Sequence, residues 1–347
     1  MKKLKIGFVG VGFIAQQCHL PAFREQPNVE IVAIADPYED LARKIKSIYQ
    51  VPKIYSNHKE LLKDKEIDAV IITLPRFLTY GVVKDCLESC KHVFTEKPLS
   101  LNHRNAEKLR AIAKKNNLIL HVGYMKRYDH GLQEFKKIIK KKYANGSIPK
   151  LIKASCYMGD SYGSPFGSFK SFQEPSSVKL FKETFPNFLS ATDRTGYENF
   201  INTYSHVLDS LDFLFESKLM LLNSHIDDNG YGITLFDLNG VPTELSTSKI
   251  LVNKWFEEIK VIFEDEIYTI EFPPALLKNV PAQISIEKGL NHYKNNSHRP
   301  KWSWSFLNQA KFFTKKVLSN NLDNSSLDSA VQCLELSAKI FKTRRRK

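Results

Sequence analysis

A glycine-rich turn at residues 10–15 constrains the fold of this chain more than any other feature of its sequence. The turn reads Gly-Val-Gly-Phe-Ile-Ala and directly follows the apolar, β-rich run at residues 4–9. In such a turn the first glycine allows the tight bend, the second lets the backbone approach a pyrophosphate, and the alanine keeps the next helix close to the strand. We therefore predict cofactor contacts from Gly10, Gly12, Phe13, Ile14 and Ala15.

An acidic residue follows at the position that selects the cofactor. Asp36 comes directly after a second apolar run at residues 30–35 and lies 21 positions beyond Ala15. A carboxylate there bonds the adenosine ribose hydroxyls and would repel the 2′-phosphate of NADP. We expect a dinucleotide-binding turn rather than a purely structural glycine turn, with NAD as the cofactor and NADP as the alternative.

The first 122 residues continue as an alternation of strands and helices. Apolar runs at 67–73, 92–95 and 118–122 are separated by segments with helical periodicity at 79–90 and 103–116. This alternation predicts an α/β fold with a parallel sheet that is covered on both faces. Because 347 residues exceed the usual size of one domain, we predict a Rossmann dinucleotide-binding domain at 1–122 and a second domain at 123–347.

Four short segments identify a family resemblance. They are 73–75 (Thr-Leu-Pro), 96–98 (Glu-Lys-Pro), 123–129 (Gly-Tyr-Met-Lys-Arg-Tyr-Asp) and 202–209 (Asn-Thr-Tyr-Ser-His-Val-Leu-Asp). Together they make the chain resemble the Gfo/Idh/MocA oxidoreductases. The resemblance implies an NAD(P)-dependent dehydrogenase or ketoreductase that acts on CH–OH groups of a sugar, an inositol or a nucleotide sugar. It also implies a C-terminal α+β domain with an open, mostly antiparallel sheet, which would pair copies into a homodimer or homotetramer.

The resemblance assigns catalysis to Lys97, His206 and Asn202. A lysine held between a strand and an X-Pro bond could exchange a proton with the substrate oxygen. The family pattern D-x-G-x-H-x-x-D is retained at His206 and Asp209, but Asn202 replaces its first acid and Tyr204 its glycine. Since Asn can orient a hydroxyl without taking its proton, acid–base chemistry would fall to Lys97 and His206. The spacing of 202, 206 and 209 predicts one shared helix face.

The remaining assignments also follow from the resemblance. Further cofactor contacts are expected from Thr73, Pro75, Glu96 and Lys97. Substrate contacts are expected from Lys97, Tyr124, Arg127, Asn202 and His206. The departures at 202 and 204 also leave open a non-catalytic, cofactor-binding relative with a regulatory or structural role. Residues 159–186, rich in Ser, Gly, Phe and Pro, predict a long loop over the cleft that serves as a substrate lid or a subunit contact.

Charge and cysteine content restrict the other partners. The net charge of +14 is concentrated in lysines at 136–142 and in the basic end at 342–347. It fits solvated helix faces, or a field that attracts an anionic substrate, and no nucleic-acid motif accompanies it. The five cysteines lack metal-ligand spacing, so we expect no metal. With neither a signal peptide nor a long apolar run, we expect a cytoplasmic protein without a membrane partner.

Overall fold

The computed structural model describes residues 3–159, 168–172, 182–252, 254–289 and 293–344. These residues divide into two compact units. The first contains 3–124, 168–172, 182–186 and 306–334, and the second contains 125–159, 187–252, 254–289, 293–305 and 335–344. Two segments from later in the chain therefore belong to the first unit, whereas the boundary predicted from the sequence divides the chain only once, after residue 122.

The first unit is built on a six-stranded parallel sheet. Its strands are β1 (Leu4–Val9), β2 (Val29–Ala35), β3 (Lys53–Tyr55), β4 (Ala69–Ile72), β5 (His92–Thr95) and β6 (Leu120–Val122). They lie in the order β3-β2-β1-β4-β5-β6, with every neighbouring pair parallel. The chain order reverses between β1 and β4, and sheets of this type bind ligands at the carboxyl ends of the strands beside such a switch point.

Helices alternate with these strands along the chain. They are α1 (Leu20–Arg24), α2 (Glu39–Tyr49), α3 (His58–Leu61), α4 (Arg76–Glu88) and α5 (His103–Lys115). All residues of the central strand β4 are buried, as expected for a sheet covered on both faces. Local chemistry sets the helix starts: Glu39 and Asp40 place negative charge in the first turn of α2, and the Asn102 side chain caps α5. The predicted Rossmann fold is confirmed.

The second unit begins with a 3₁₀ turn at Met125–Tyr128 and joins helices to a large sheet. Its helices are α6 (His130–Ala144), α7 (Ala191–Asn199) and α8 (Ser205–Phe215). Its strands are β7 (Leu151–Met158), β8 (Met220–Ile226), β9 (Gly232–Leu238), β10 (Val241–Lys249), β11 (Phe256–Ile262), β12 (Glu266–Glu271), β13 (Gln283–Lys288) and β14 (Lys294–His298). The order is β14-β13-β12-β11-β7-β10-β9-β8. Only β7 and β10 pair in parallel, so the predicted open, mostly antiparallel sheet is confirmed.

Two long helices complete the described chain, α9 (Ser305–Leu318) and α10 (Ser325–Thr343). Within the second unit, a buried carboxylate starts α6: Asp129 Oδ1 accepts hydrogen bonds from the amides of Gly131 and Leu132 and also from the amide of Ala282. Two lysines of α6 form ion pairs within the chain, because Lys136 and Lys140 both contact Glu216. None of the helices described here is long and apolar enough to cross a membrane.

Candidate functional site

The glycine turn has the geometry that a dinucleotide requires. Gly10 has a φ of +82°, and a Cβ added to it would lie 2.7 Å from the carbonyl oxygen of Thr73. Thr73 also stabilises this turn, because its hydroxyl donates a hydrogen bond to the Gly10 carbonyl at 2.6 Å. A Cβ on Gly12 would meet no atom within 4 Å, so the backbone borders open space there. This is the room that a pyrophosphate would fill, and the residues present fit the cofactor.

The helix that follows this turn is not a regular α-helix. Phe13 and Ile14 open it, and a π-helical turn occupies Ala15–His19 before α1 begins. Ala15 is fully buried, whereas Phe13 is exposed. The π turn ends on His19, whose buried Nε2 lies 2.6 Å from Glu96 Oε1. Sequence periodicity gave no signal for this link between the glycine turn and the end of β5.

A cavity of about 530 Å³ opens beside the glycine turn. Its described lining comes from the ends of β1, β2 and β4, from the segments after them, and from one later residue: Val9, Gly10, Gly12, Ala35, Asp36, Pro37, Tyr38, Leu41, Ser56, Asn57, His58, Thr73, Leu74, Pro75, Phe77, Leu78, Val82 and Lys182. Five predicted cofactor residues, those at 10, 12, 36, 73 and 75, therefore line the same cavity. Phe13, Ile14, Ala15, Glu96 and Lys97 do not line it.

Asp36 is the acidic group of this cavity. It is 6% exposed, and its two oxygens accept the amides of Val11 at 2.9 Å and Tyr38 at 3.0 Å. Burial raises the pKa of Asp36, and these two amides offset part of that rise. A carboxylate has about four acceptor sites, so ribose hydroxyls can donate to it as well. The nearby cation Arg43 is paired with Glu39.

Glu96 and Lys97 directly follow β5, at the same edge of the sheet. The backbone amide of Lys97 donates to Glu96 Oε2 at 3.1 Å, and the Lys97 side chain is half-buried. Burial alone would raise the pKa of Glu96, but the hydrogen bond from His19 and the positive charge of Lys97 outweigh it and hold that pKa below its usual value. Glu96 is thus an ionised, partly buried carboxylate beside the predicted catalytic lysine.

In the second unit, the predicted helix over 202–209 is interrupted. A π-helical turn spans Phe200–Tyr204, and α8 begins only at Ser205. Asn202 and His206 are half-buried, but Asp209 is completely buried. His206 and Asp209 lie three positions apart in α8 and are therefore neighbours on its surface, whereas the π turn separates Asn202 from them. The Asp209 carboxylate pairs with an arginine. Tyr204 is also buried, and its hydroxyl donates to the Ser248 carbonyl at 2.9 Å.

Arg127 holds that carboxylate. Its Nε lies 2.9 Å from both oxygens of Asp209, and its Nη2 lies 2.8 Å from Asp212. The two acids raise the pKa of Arg127 against the opposing effect of burial. Arg127 is 7% exposed and Tyr124 is 1% exposed. Substrate contact by these two residues stays a prediction, and the geometry of Arg127 is that of a structural ion pair that fixes α8.

The chain is similar to known proteins in both sequence and structure. Residues 4–124 match the family model described as GFO_IDH_MocA, oxidoreductase family, NAD-binding Rossmann fold. Myo-inositol 2-dehydrogenase of Thermotoga maritima is 32% identical over 147 residues, which are 42% of each protein. Inositol 2-dehydrogenase of Salmonella typhimurium is 31% identical over 138 residues, 39% of this chain and 41% of the relative. The chain thus spans about two fifths of the length of the curated relatives it matches.

The structural match extends further along the chain. The 3-ketoreductase KijD10 from Actinomadura kijaniata, solved with NADP and TDP-benzene, superposes with a TM-score of 0.77 at 17% identity. The match covers 99% of both chains. At this identity the likeness establishes a common fold. The family match adds that residues 4–124 are similar to NAD-binding Rossmann domains.

Alanine at the two glycines should separate folding from cofactor binding. Gly12→Ala should leave the free energy of unfolding nearly unchanged but weaken NADH binding tenfold or more, about 1.4 kcal/mol, because its methyl group enters the space for the pyrophosphate. Gly10→Ala should destabilise the fold by about 2 kcal/mol or more, since it combines a left-handed φ with a clash. Fluorescence titration and denaturant unfolding measure both; unchanged NADH affinity in Gly12→Ala would contradict the assignment.

The buried ion pair at α8 should matter more than an exposed one. Arg127→Met leaves Asp209 buried without its cation and should destabilise the protein by about 3–5 kcal/mol. Lys140→Met is the matched control, because it removes one of two lysines from Glu216 in a pair more than half exposed and should change stability by less than about 1 kcal/mol. Urea unfolding compares them. Equal losses would show that Arg127 has no special structural role.

Proposed function

We propose that this chain is an NAD(P)-dependent dehydrogenase or ketoreductase acting on a sugar-like CH–OH group, because residues 4–124 match the model of the Gfo/Idh/MocA oxidoreductases. The observation that carries the proposal is that two features lie at the carboxyl ends of strands in one sheet. One is the glycine turn at residues 10–15, which has room for the phosphates of a dinucleotide and is called the phosphate cradle here. The other is a half-buried lysine. The cradle follows β1, and Lys97 follows β5. Only β4 lies between these two strands.

The roles of the cofactor residues follow from the geometry. Gly10 and Gly12 would hold the pyrophosphate against the turn, while Asp36 would accept the ribose hydroxyls. Asp36 and the pairing of Arg43 with Glu39 favour NAD, whereas the solved 3-ketoreductase carries NADP. When bound, the nicotinamide supplies or accepts the hydride of the reaction. Side chains of this chain would orient the substrate and move the proton at its oxygen.

Lys97 and His206 would move the proton at the substrate oxygen. The bond from the Lys97 amide to Glu96 fixes the backbone at the lysine, so its ammonium can be aimed at one substrate atom. Asn202 would orient a neighbouring hydroxyl by hydrogen bonding, because a side-chain amide does not gain or lose a proton near neutral pH. Positioned acid–base groups of this kind contribute about 10²–10⁴-fold to rate.

The substrate class is proposed from the relatives, whose names give inositols and a ketoreductase solved with a TDP derivative. An anionic substrate has limited support from charge, because lysines 136 and 140 of the basic run are already paired with Glu216. Inositols, free sugars, sugar phosphates and nucleotide sugars therefore all belong in a substrate panel.

Turnover of this panel, followed by NADH or NADPH absorbance, tests the proposal. Lys97→Met and His206→Ala should each lower kcat by about 10²–10⁴-fold while cofactor affinity is retained, because neither side chain lines the cofactor cavity. The exposed Lys114→Met is the matched lysine control and should keep full activity. Wild-type kcat in both active-site variants would refute the assignment of roles. Tight cofactor binding with no turnover of any panel member would instead favour the non-catalytic relative.

The proposed partner is a second copy of the chain. On β8 and β9 the apolar side chains of Met220, Leu222, Ile233 and Leu235 are between 42 and 64% exposed. Ile233 and Leu235 alternate with the buried Thr234 and Phe236, so they share one face of the sheet. An apolar face of this kind marks an interaction surface.

Mutation of this face should reduce the oligomer. Leu235→Glu places a charge in the proposed interface and should convert a dimer or tetramer into a smaller species, measured by light scattering after size exclusion. Asn295→Glu, on the exposed strand β14, is the control and should leave the mass unchanged. A wild-type chain that elutes as a monomer would exclude the proposed pairing.

A further inference from the structure

Within the first unit, a buried carboxylate ties a late segment, of which residues 168–172 and 182–186 are described, to the loops and helices that follow β4 and β5. Glu183 is 5% exposed, and it accepts hydrogen bonds from the Ser100 hydroxyl, from the Leu101 amide at 2.9 Å and from the Asn105 side chain at 2.7 Å. Its own amide donates to the Phe77 carbonyl at 2.7 Å. A carboxylate is buried at high cost unless donors surround it, so these four bonds fix residue 183 and its neighbour.

That neighbour, Lys182, forms part of the cofactor cavity. Its ammonium lies 5.5 Å from the centroid of the Phe77 ring, and both residues belong to the cavity lining. Among the described lining residues, Lys182 is the only lysine or arginine, while Asp36 supplies a negative charge. If Asp36 were the only charged group, the cavity would repel a phosphate. The positive charge of Lys182 offsets the negative charge of Asp36.

The same late segment is also bound on the other side of the switch point. The amide of Phe169 donates to Gln16 Oε1 at 2.7 Å, and Gln16 Nε2 donates back to the Phe169 carbonyl at 3.1 Å. The hydroxyl of Ser171 donates to Asp40, at the start of α2. These partners follow β1 and β2, whereas Phe77 and Ser100 follow β4 and β5. The described ends of the segment thus flank the cleft between β1 and β4, where such sheets bind dinucleotides.

We propose that Lys182 is a cofactor-binding residue whose ammonium contacts a phosphate of the bound dinucleotide. The inference rests on the proposed dinucleotide function and adds a contact from outside the glycine turn. The shared chemistry is a phosphate oxygen, which is present in the pyrophosphate of both cofactors and in the 2′-phosphate of NADP. Glu183 acts as the positioning residue that holds the lysine at the cavity wall.

Binding measurements on matched variants test the contact. Lys182→Met removes the charge but keeps an aliphatic chain over Phe77, and Lys182→Arg keeps the charge. The exposed Lys170→Met is the control from the same segment. Dissociation constants for NADH, NADPH and adenosine are measured by calorimetry at low and high salt, so that loss of a charge contact is separated from loss of packing.

We expect Lys182→Met to weaken NADH and NADPH binding about tenfold at low salt, with adenosine, Lys182→Arg and Lys170→Met close to wild type. Loss for both dinucleotides places the contact at the pyrophosphate, and loss for NADPH alone places it at the 2′-phosphate. Unchanged dinucleotide affinity, or an equal loss for adenosine, overturns the inference. A wild-type protein that binds neither dinucleotide overturns the proposed function itself, which is a distinct result.

Discussion

The ionised carboxylate of Glu96 is the constraint on which the arrangement of the first unit depends. It is held by the His19 imidazole on one side and by the Lys97 amide on the other. Because His19 ends the π turn after the glycine turn, one partly buried charge connects the phosphate cradle to the loop that carries Lys97. Removing it from water is tolerable only with both partners in place. The cofactor cradle and the lysine are therefore fixed relative to each other by the same interaction.

The second unit uses charge burial for a similar purpose. Arg127 fixes α8 through Asp209 and Asp212, and Lys126 pairs with Glu257 in the core. Both cations lie in the segment at residues 123–129, in which the family resemblance predicts substrate contacts. The two acids give Arg127 a structural function, because they belong to α8, the helix that carries the half-buried His206. Polar residues near a site can thus serve it by positioning other groups, without touching a ligand.

The sequence was sufficient where local pattern decides the structure, as in the buried strands β1 and β4, the glycine turn and Asp36. It failed where pattern is weak or the partner is remote. Strand β3 has three half-buried residues and β14 is exposed along its length, so neither shows an alternation. The partner of Arg127 lies 82 residues away, and Glu183 binds Ser100 at a similar separation. No spacing rule relates such positions, since only the folded chain brings them together.

Both π turns, at Ala15–His19 and Phe200–Tyr204, lie in helices that carry candidate site residues. A π turn contains one residue more than the α-helical path it replaces. Because the widened turn absorbs this residue, side chains on its two sides differ by about 100° from the orientation that the same number of residues would give in an unbroken α-helix. In an unbroken α-helix of the same length, His19 would turn away from Glu96, and His206 would move relative to Asn202. In these two helices the length of the chain is therefore as much a determinant of the site as the identity of its residues.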